Sequence, residues 1–162
     1  MRVAILTVSD GVASGTREDT AGAAAEAWVD RHGWERTERR VVADEAVAIA
    51  GTLARWADAG RADLILTLGG TGLGPRDVTP EATRAVLERP AAGVAEALRT
   101  VGRDHTPQAM LGRGVAGARN GVLIVNLPGS VKAVREGLAV LENVVEHAID
   151  LLAGRTEHAG GR

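Results

Sequence analysis

The stretch Asp63-Leu-Ile-Leu-Thr-Leu-Gly69-Gly-Thr-Gly72-Leu-Gly-Pro-Arg76-Asp77-Val-Thr79-Pro-Glu-Ala82 constrains this chain more than any other. Leu64 to Leu68 is a short, mostly apolar run of the kind that forms a buried strand. It empties into four glycines within six residues: Gly69, Gly70, Gly72 and Gly74. Backbone without Cβ atoms can approach a ligand closely and turn its N–H groups toward an anion. Thr79-Pro80-Glu81 then reads as a helix opening, with threonine at the N-cap, proline at the first helical position and an acid in the first turn. The positive end of that helix dipole favours negative charge. Arg76 can grip a phosphate as a planar fork, and Asp77 can hold a divalent cation. Strand, glycine loop, charge pair and helix, in that order, describe a site for a phosphorylated ligand. The plainer alternative is a tight glycine turn with no ligand.

The loop does not fit the common nucleotide fingerprints. No Gly-x-x-x-x-Gly-Lys-Ser/Thr is present, and a dinucleotide pattern starting at Gly70 or Gly72 meets Pro75 or Asp77 where glycine is required. Neither a P-loop NTPase nor a dinucleotide-dependent dehydrogenase is supported.

The strand-like runs place the other segments. Val3 to Val8 stops at Ser9-Asp10-Gly11 and forms a first strand. Asp19 or Thr20 can cap a helix to about Arg31, ended by Gly33. Glu35 to Val42 forms a second strand. Asp44 stands at an N-cap position before a helix from about Glu45 to Ala59. A helix runs from Thr79 to about Leu87, and another from Ala92 to about Val101. Residues 103–118 carry no clear periodicity. Val122 to Val125 is a fourth strand, ending in Asn126-Leu-Pro128-Gly129-Ser130, and a last helix spans about Val131 to Leu152. Alternating strands and helices imply an α/β fold: three layers, α/β/α, with a mainly parallel central sheet. Ligands bind beyond the carboxyl ends of such strands. Ser9-Asp10-Gly11, Asp44, Gly69 to Asp77 and Asn126 to Ser130 should therefore share one rim.

With 162 residues, 45% apolar and 25% charged, the chain suits one domain, expected over 1–153, with a flexible C-terminal tail at 154–162. A net charge of −2, no Phe or Tyr and only three Trp argue against a nucleic-acid binder. The absence of cysteine excludes disulfides and thiolate chemistry, and the four histidines have no zinc-motif spacing. The N-terminal run is too short and too soon polar for a signal peptide, and no apolar run approaches a membrane span. A cytoplasmic protein is expected. Of the 19 basic residues one is a lysine, Lys132, placed in the second glycine-bearing loop, where it hints at a use for a compact ammonium.

The available chemistry is carboxylates (Asp10, Asp44, Asp77), loop amides, hydroxyls (Ser9, Thr71, Thr79, Ser130) and cations (Arg76, Lys132). No nucleophile–base pair is visible. This equipment suits phosphoryl or nucleotidyl transfer between two bound substrates, which needs positioning and charge neutralisation and no protein nucleophile. Oxygen-rich, histidine-poor surroundings suit Mg²⁺. Asp44 and Asp77 also have structural uses open to them, as helix caps or, for Asp77, as the ion-pair partner of Arg76, and Asp10 can close an Asx turn.

The segment Gly69 to Ala82 resembles the signature of the molybdopterin adenylyltransferases, the Mog/MoaB family, and Asn126-Leu-Pro-Gly-Ser-Val-Lys-Ala-Val-Arg-Glu136 resembles that family's second motif. Ser9-Asp10 and Asp44 stand where the family has its other acidic positions. The likeness spans about residues 2 to 153. It implies an enzyme that adenylylates molybdopterin with MgATP, releasing pyrophosphate, ahead of molybdate insertion. ATP and molybdopterin would be substrates and Mg²⁺ the cofactor. A homotrimer is implied, as is hand-over to a molybdate-insertion protein. By position, Asp44 and Asp77 match the acidic residues linked to catalysis and metal handling. Gly69, Gly70, Thr71 and Gly72 match the glycine loop, and Pro128, Gly129 and Ser130 the second loop. Gly112, Val131 and Val94 depart from the serine, proline and aromatic common in the family. The Gly112 change favours an alternative, a molybdopterin-binding protein of the same fold without catalysis.

Overall fold

In β1 (Arg2–Val8), Val3 and Ile5 face one side of a sheet and Ala4, Leu6 and Val8 the other, and all five are buried. A strand apolar on both faces needs cover on both faces. The structure, a computed structural model, describes residues 1–155, so the expected tail lies almost wholly outside the described residues. Joining β1 in one sheet are β2 (Glu35–Val42), β3 (Leu64–Leu68), β4 (Arg89–Pro90), β5 (Ala116–Arg119) and β6 (Val122–Leu127), in spatial order β2-β1-β3-β6-β5-β4. The first four in that order run parallel. β5 returns antiparallel to β6, and β4 antiparallel to β5.

The helices are α1 (Asp10–Ala13), α2 (Thr20–Arg31), α3 (Ala46–Asp58), α4 (Thr79–Arg84), α5 (Ala92–His105), α6 (Val131–Glu142) and α7 (Val145–Leu152), with a 3-10 turn at Pro107–Leu111. Trp28 and Val29 of α2, Val134, Leu138 and Leu141 of α6, and Val145 and Ile149 of α7 pack with Ile5, Leu66 and Val125 on one face. Ile49, Leu53 and Trp56 of α3 and Ala82 of α4 pack with Leu6, Ile65 and Ile124 on the other. The result is the expected three-layer α/β/α arrangement. None of the helices among the described residues is long and apolar enough to cross a membrane.

Four details differ from the sequence reading. Asp44 does not cap α3: Glu45 is the N-cap residue, and its side chain makes no capping bond. Thr79 is the first helical residue of α4, with Val78 at the N-cap. The last helix is two helices. At the break the Asn143 side-chain amide donates to the Ala139 carbonyl (3.1 Å), and the bend that follows lets Val145 and Ile149 of α7 reach the core. Residues 103–118, without clear periodicity, hold the end of α5, the 3-10 turn and most of β5. Asn120 and Gly121 close β5 onto β6 with φ of 47° and 75°, both left-handed, as a type I′ hairpin requires. The Asn-Gly pair between β5 and β6 is the sequence signal for that hairpin.

Asn126 ties the layers together. Its Nδ2 donates to the hydroxyls of Thr67 on β3 and Thr83 on α4 (2.9 Å each), and its Oδ1 accepts the Val115 N–H (3.1 Å). The residue is buried, so each lost partner leaves a polar group away from water. Asn126→Ala is predicted to lower stability by about 2 kcal/mol, seen as a lower urea midpoint at unchanged m-value. A loss below about 0.5 kcal/mol, half the typical net worth of one hydrogen bond, would mean that the three groups find other partners.

Candidate functional site

The register of the parallel strands brings their ends level: Val8 lies opposite Val42, Thr7 opposite Leu68, and Leu68 opposite Leu127. The loops after β1, β2, β3 and β6 therefore meet on one rim. Backbone meets backbone closely at Gly69 (φ +103°), where a Cβ would lie 2.4 Å from the Val8 carbonyl oxygen. At Gly70 (φ +64°) a Cβ would lie 2.3 Å from Thr79 Oγ1 and 3.0 Å from Asp44 Oδ1. No side chain fits at either position.

Beyond these glycines opens a polar cavity of about 380 Å³. Its walls include Ser9, Arg17, Asp44, Gly69 to Gly72, Asp77, Gly129 and Ser130. Thr20 and Ala21, which begin α2, also face it. The N-termini of α2 and α6, helices of 12 residues each, thus converge here, and their dipoles add positive potential. An apolar cavity of about 320 Å³ adjoins it, walled by Leu98, Ala109, Leu111, Gly112 and Pro128 among others. Thr71 and Gly72 belong to both walls. A further hollow of about 400 Å³ beside β4 shares Ala95, Arg99 and Gly114 with the apolar cavity and contains none of the glycine loop.

Asp44 and Asp10 bind each other's backbone: Asp44 Oδ2 accepts the Asp10 N–H (2.8 Å), and Asp10 Oδ1 accepts the Asp44 N–H (3.0 Å). Asp77 Oδ2 accepts the Gly74 N–H (2.8 Å) and closes the glycine loop. Asp44 Oδ1 and Asp77 Oδ1 accept no hydrogen bond among the described residues. Burial pushes the Asp44 carboxyl above the usual range, and the charges of Asp10 and Asp77 add to that, against the Asp10 N–H and Arg76. Asp10 is held below its usual range by Arg76, with help from the Asp44 N–H.

Arg76, expected to grip phosphate, is engaged elsewhere. Its Nε and Nη2 meet the two oxygens of Asp10 at 3.0 Å, and Nη2 also meets Glu45 at 3.0 Å. It is absent from the walls of both cavities, because two carboxylates outside them satisfy it. Lys132 lies in the first turn of α6 with its side chain 72% exposed and 3.8 Å from Glu136, also outside both walls. Thr79 is buried beneath Gly70, and its Oγ1 has no hydrogen-bond partner among the described residues. Pro128 faces the apolar cavity, while Gly129 and Ser130 face the polar one.

Arg113 has no counterpart in the sequence reading. Its Nε donates to the Gly72 carbonyl (2.7 Å), its Nη2 to the Asp77 carbonyl (2.6 Å), and it pairs with Glu81. Its own N–H donates to the Thr71 carbonyl (2.9 Å). The guanidinium thereby pins the glycine loop at Gly72 and at Asp77. Its partners lie 32 to 41 residues away in sequence, so no local pattern marks it.

Among the described residues no three His, Cys, Asp or Glu side chains are grouped to hold a metal ion. The free oxygens of Asp44 and Asp77 are hard oxygen donors in the cavity wall, whereas the Thr79 hydroxyl is sealed beneath Gly70 and outside that wall. The two carboxylates fit an ion such as Mg²⁺, which is commonly held by one or two carboxylates, with waters and substrate phosphates completing its shell.

The raised Asp44 carboxyl sets a stability prediction. A group whose folded pKa lies above its unfolded value favours folding below the unfolded pKa, and that contribution is lost as pH rises through the folded pKa. Ionised Asp44 therefore opposes folding at pH 7. Asp44→Asn keeps an acceptor for the Asp10 N–H and removes the charge. It is predicted to melt at or above the wild-type temperature at pH 7, with the difference shrinking as pH falls toward the ordinary aspartate value of 3.8. A lower melting temperature at pH 7 would show that the charge stabilises this site.

Known proteins share this sequence pattern and this fold. A family described as "Probable molybdopterin binding domain" matches residues 4–147. A molybdopterin adenylyltransferase from Helicobacter pylori is 35% identical over 156 residues, covering 95% of this chain and 89% of that protein. Gephyrin from Dictyostelium discoideum is 40% identical over 160 residues, but the match covers only 22% of its length. The crystal structure of the molybdopterin biosynthesis enzyme MoaB from Thermus thermophilus superposes with a TM-score of 0.88 at 49% identity, covering 94% of this chain and 96% of that one.

Proposed function

The chain belongs to the molybdopterin-binding family of molybdenum cofactor biosynthesis, and from that membership we propose that it adenylylates molybdopterin with MgATP and releases pyrophosphate. The observation that carries this reading is the pair of adjoining cavities, one polar and one apolar, whose walls share Thr71 and Gly72. Two substrates with phosphate ends and heteroaromatic bodies need such a double site. The phosphates have the polar cavity, with its loop backbone and two helix N-termini. The apolar cavity can take a ring.

In this reading an oxygen of the molybdopterin phosphate attacks the α-phosphorus of ATP. A new P–O bond forms as the bond to the β-phosphate oxygen breaks, and the electron pair leaves with pyrophosphate. The nucleophile is the substrate's own phosphate, so no protein side chain is modified. The protein positions both reactants and places donors where charge accumulates. Asp44 and Asp77 would hold Mg²⁺, which supplies charge neutralisation on the phosphates. Arg113 and the Asp77–Gly74 hydrogen bond hold the glycine loop in shape. Assembly as a trimer, a cytoplasmic setting and hand-over of the product to molybdate insertion belong to the same reading.

Asp77→Asn tests it, because asparagine still offers an oxygen to the Gly74 N–H while losing the negative charge. Molybdopterin-dependent pyrophosphate release is predicted to fall by about 10²-fold or more, with the circular dichroism spectrum unchanged. Unchanged release would remove Asp77 from the mechanism. Molybdopterin binding by the wild type without any release would make the protein a carrier. In that case Gly112, which offers no hydroxyl and where a Cβ would lie 3.1 Å from the Ala109 carbonyl oxygen, is the place to look.

A further inference from the structure

The loop between α1 and α2 is wound on one oxygen. The Gly11 carbonyl accepts the N–H groups of Thr16 (2.9 Å) and Arg17 (3.0 Å) and the hydroxyls of Thr16 (3.0 Å) and Ser14 (3.2 Å). The stem of Arg17 lies against the bare Cα of Gly11, where a Cβ would come within 2.7 Å of Arg17 Cδ and 3.2 Å of its Cγ. Arg17 is thus placed by a preformed loop, and it stands in the wall of the polar cavity.

Among the described residues it is the only cation in that wall, which also contains the carboxylates of Glu18, Asp19, Asp44 and Asp77. Asp19 already has its counter-ion: Arg39 pairs with it, and the Gly22 N–H (2.8 Å) and Thr7 hydroxyl (2.8 Å) complete its shell. Two arginines near the glycine loop are likewise held by carboxylates, Arg76 by Asp10 and Glu45, and Arg113 by Glu81, and Arg99 in the apolar wall donates to the Gly114 carbonyl (3.0 Å). Arg17 alone among these has no ion pair within 4.0 Å and no side-chain hydrogen bond among the described residues. An unpaired fork of donors beside two helix N-termini is complementary to a polyanion that presents pairs of oxygens.

We propose that Arg17 is a binding residue for the polyphosphate of the nucleotide, gripping it from the α1–α2 loop opposite the charge of Asp44 and Asp77. The inference rests on reading the polar cavity as the nucleotide phosphate site. It assigns the cation that the phosphates need to Arg17, since Arg76 is already satisfied by Asp10 and Glu45.

The test is calorimetric titration of MgATP and of magnesium pyrophosphate into wild type, Arg17→Gln, Arg17→Lys and Gly11→Ala, alongside steady-state kinetics. Arg17→Gln is expected to weaken both ligands about tenfold or more, the worth of a charged hydrogen bond. It should raise KM for ATP more than it lowers kcat and leave KM for molybdopterin unchanged. Arg17→Lys should recover part of the affinity. Gly11→Ala keeps every charge but displaces the arginine stem. It should weaken phosphate binding several-fold at an undiminished melting temperature, because alanine suits a helical position better than glycine. Equal affinity in Arg17→Gln, with turnover intact, overturns the role of Arg17 and leaves adenylyl transfer standing. Weakened pyrophosphate binding in Arg17→Gln, in a wild type that releases no pyrophosphate from ATP, upholds Arg17 and overturns the reaction.

Discussion

Gly69 leaves β3 pressed between two backbones. A Cβ on it would stand 2.4 Å from the Val8 carbonyl oxygen, and a Cβ on Gly129 would stand 3.3 Å from the Gly69 Cα. The Gly69 N–H also donates to the Leu127 carbonyl (3.0 Å). The ends of β1, β3 and β6 can meet only because this junction carries no side chains. Separating the strands by the width of a methyl group would lift the glycine loop off Asp44 and part the helix N-termini that face it. The floor of the polar cavity is therefore a consequence of backbone contact among three strands, and the side chains around it are placed by that contact.

Around this floor the charges are sorted by partner. Arg76 draws Asp10 and Glu45 together on the outside, Arg39 neutralises Asp19 behind the α2 N-terminus, and Arg113 engages Glu81 and the loop carbonyls. Asp44 and Asp77 receive no such partner among the described residues. Burial and mutual repulsion raise the Asp44 carboxyl as a result. A site that opposes folding slightly while it is empty is a common cost of function, and a cation with a polyphosphate would remove that cost on binding.

The antiparallel extension does different work. β4, β5 and the hairpin at Asn120-Gly121 widen the sheet past β6, and α5 with the 3-10 turn packs beside them to raise the apolar cavity wall. Asn126 connects this extension to the parallel part, bonding β3, α4 and the approach to β5 at once. The polar cavity belongs to the parallel strands. The apolar one is walled by α5, the 3-10 turn and α6, and Thr71 and Gly72 stand where the two regions join.

Local spacing alone determined the four parallel strands, the layered α/β class and the segments that reach the rim. Each is written in contiguous residues: Val3 to Val8, Leu64 to Leu68 and Val122 to Val125 are apolar enough to be buried on both faces, and glycine follows where a strand must end against backbone. The Asn-Gly hairpin signal was equally local. The break between α6 and α7 was not, because the periodicity of residues 131–152 continues across Asn143-Val144 and only packing against the sheet decides the bend. Partner choice was also beyond the sequence. Arg76 adjoins Asp77 in the chain yet pairs with Asp10 and Glu45, while Arg113 and Arg17 reach the site from loops whose spacing marks nothing. The reason is physical. Helix and strand periods, caps and turns are set by interactions over a few residues, whereas a guanidinium settles on whichever oxygens the folded backbone brings within about 3 Å. Only the tertiary structure decides which those are.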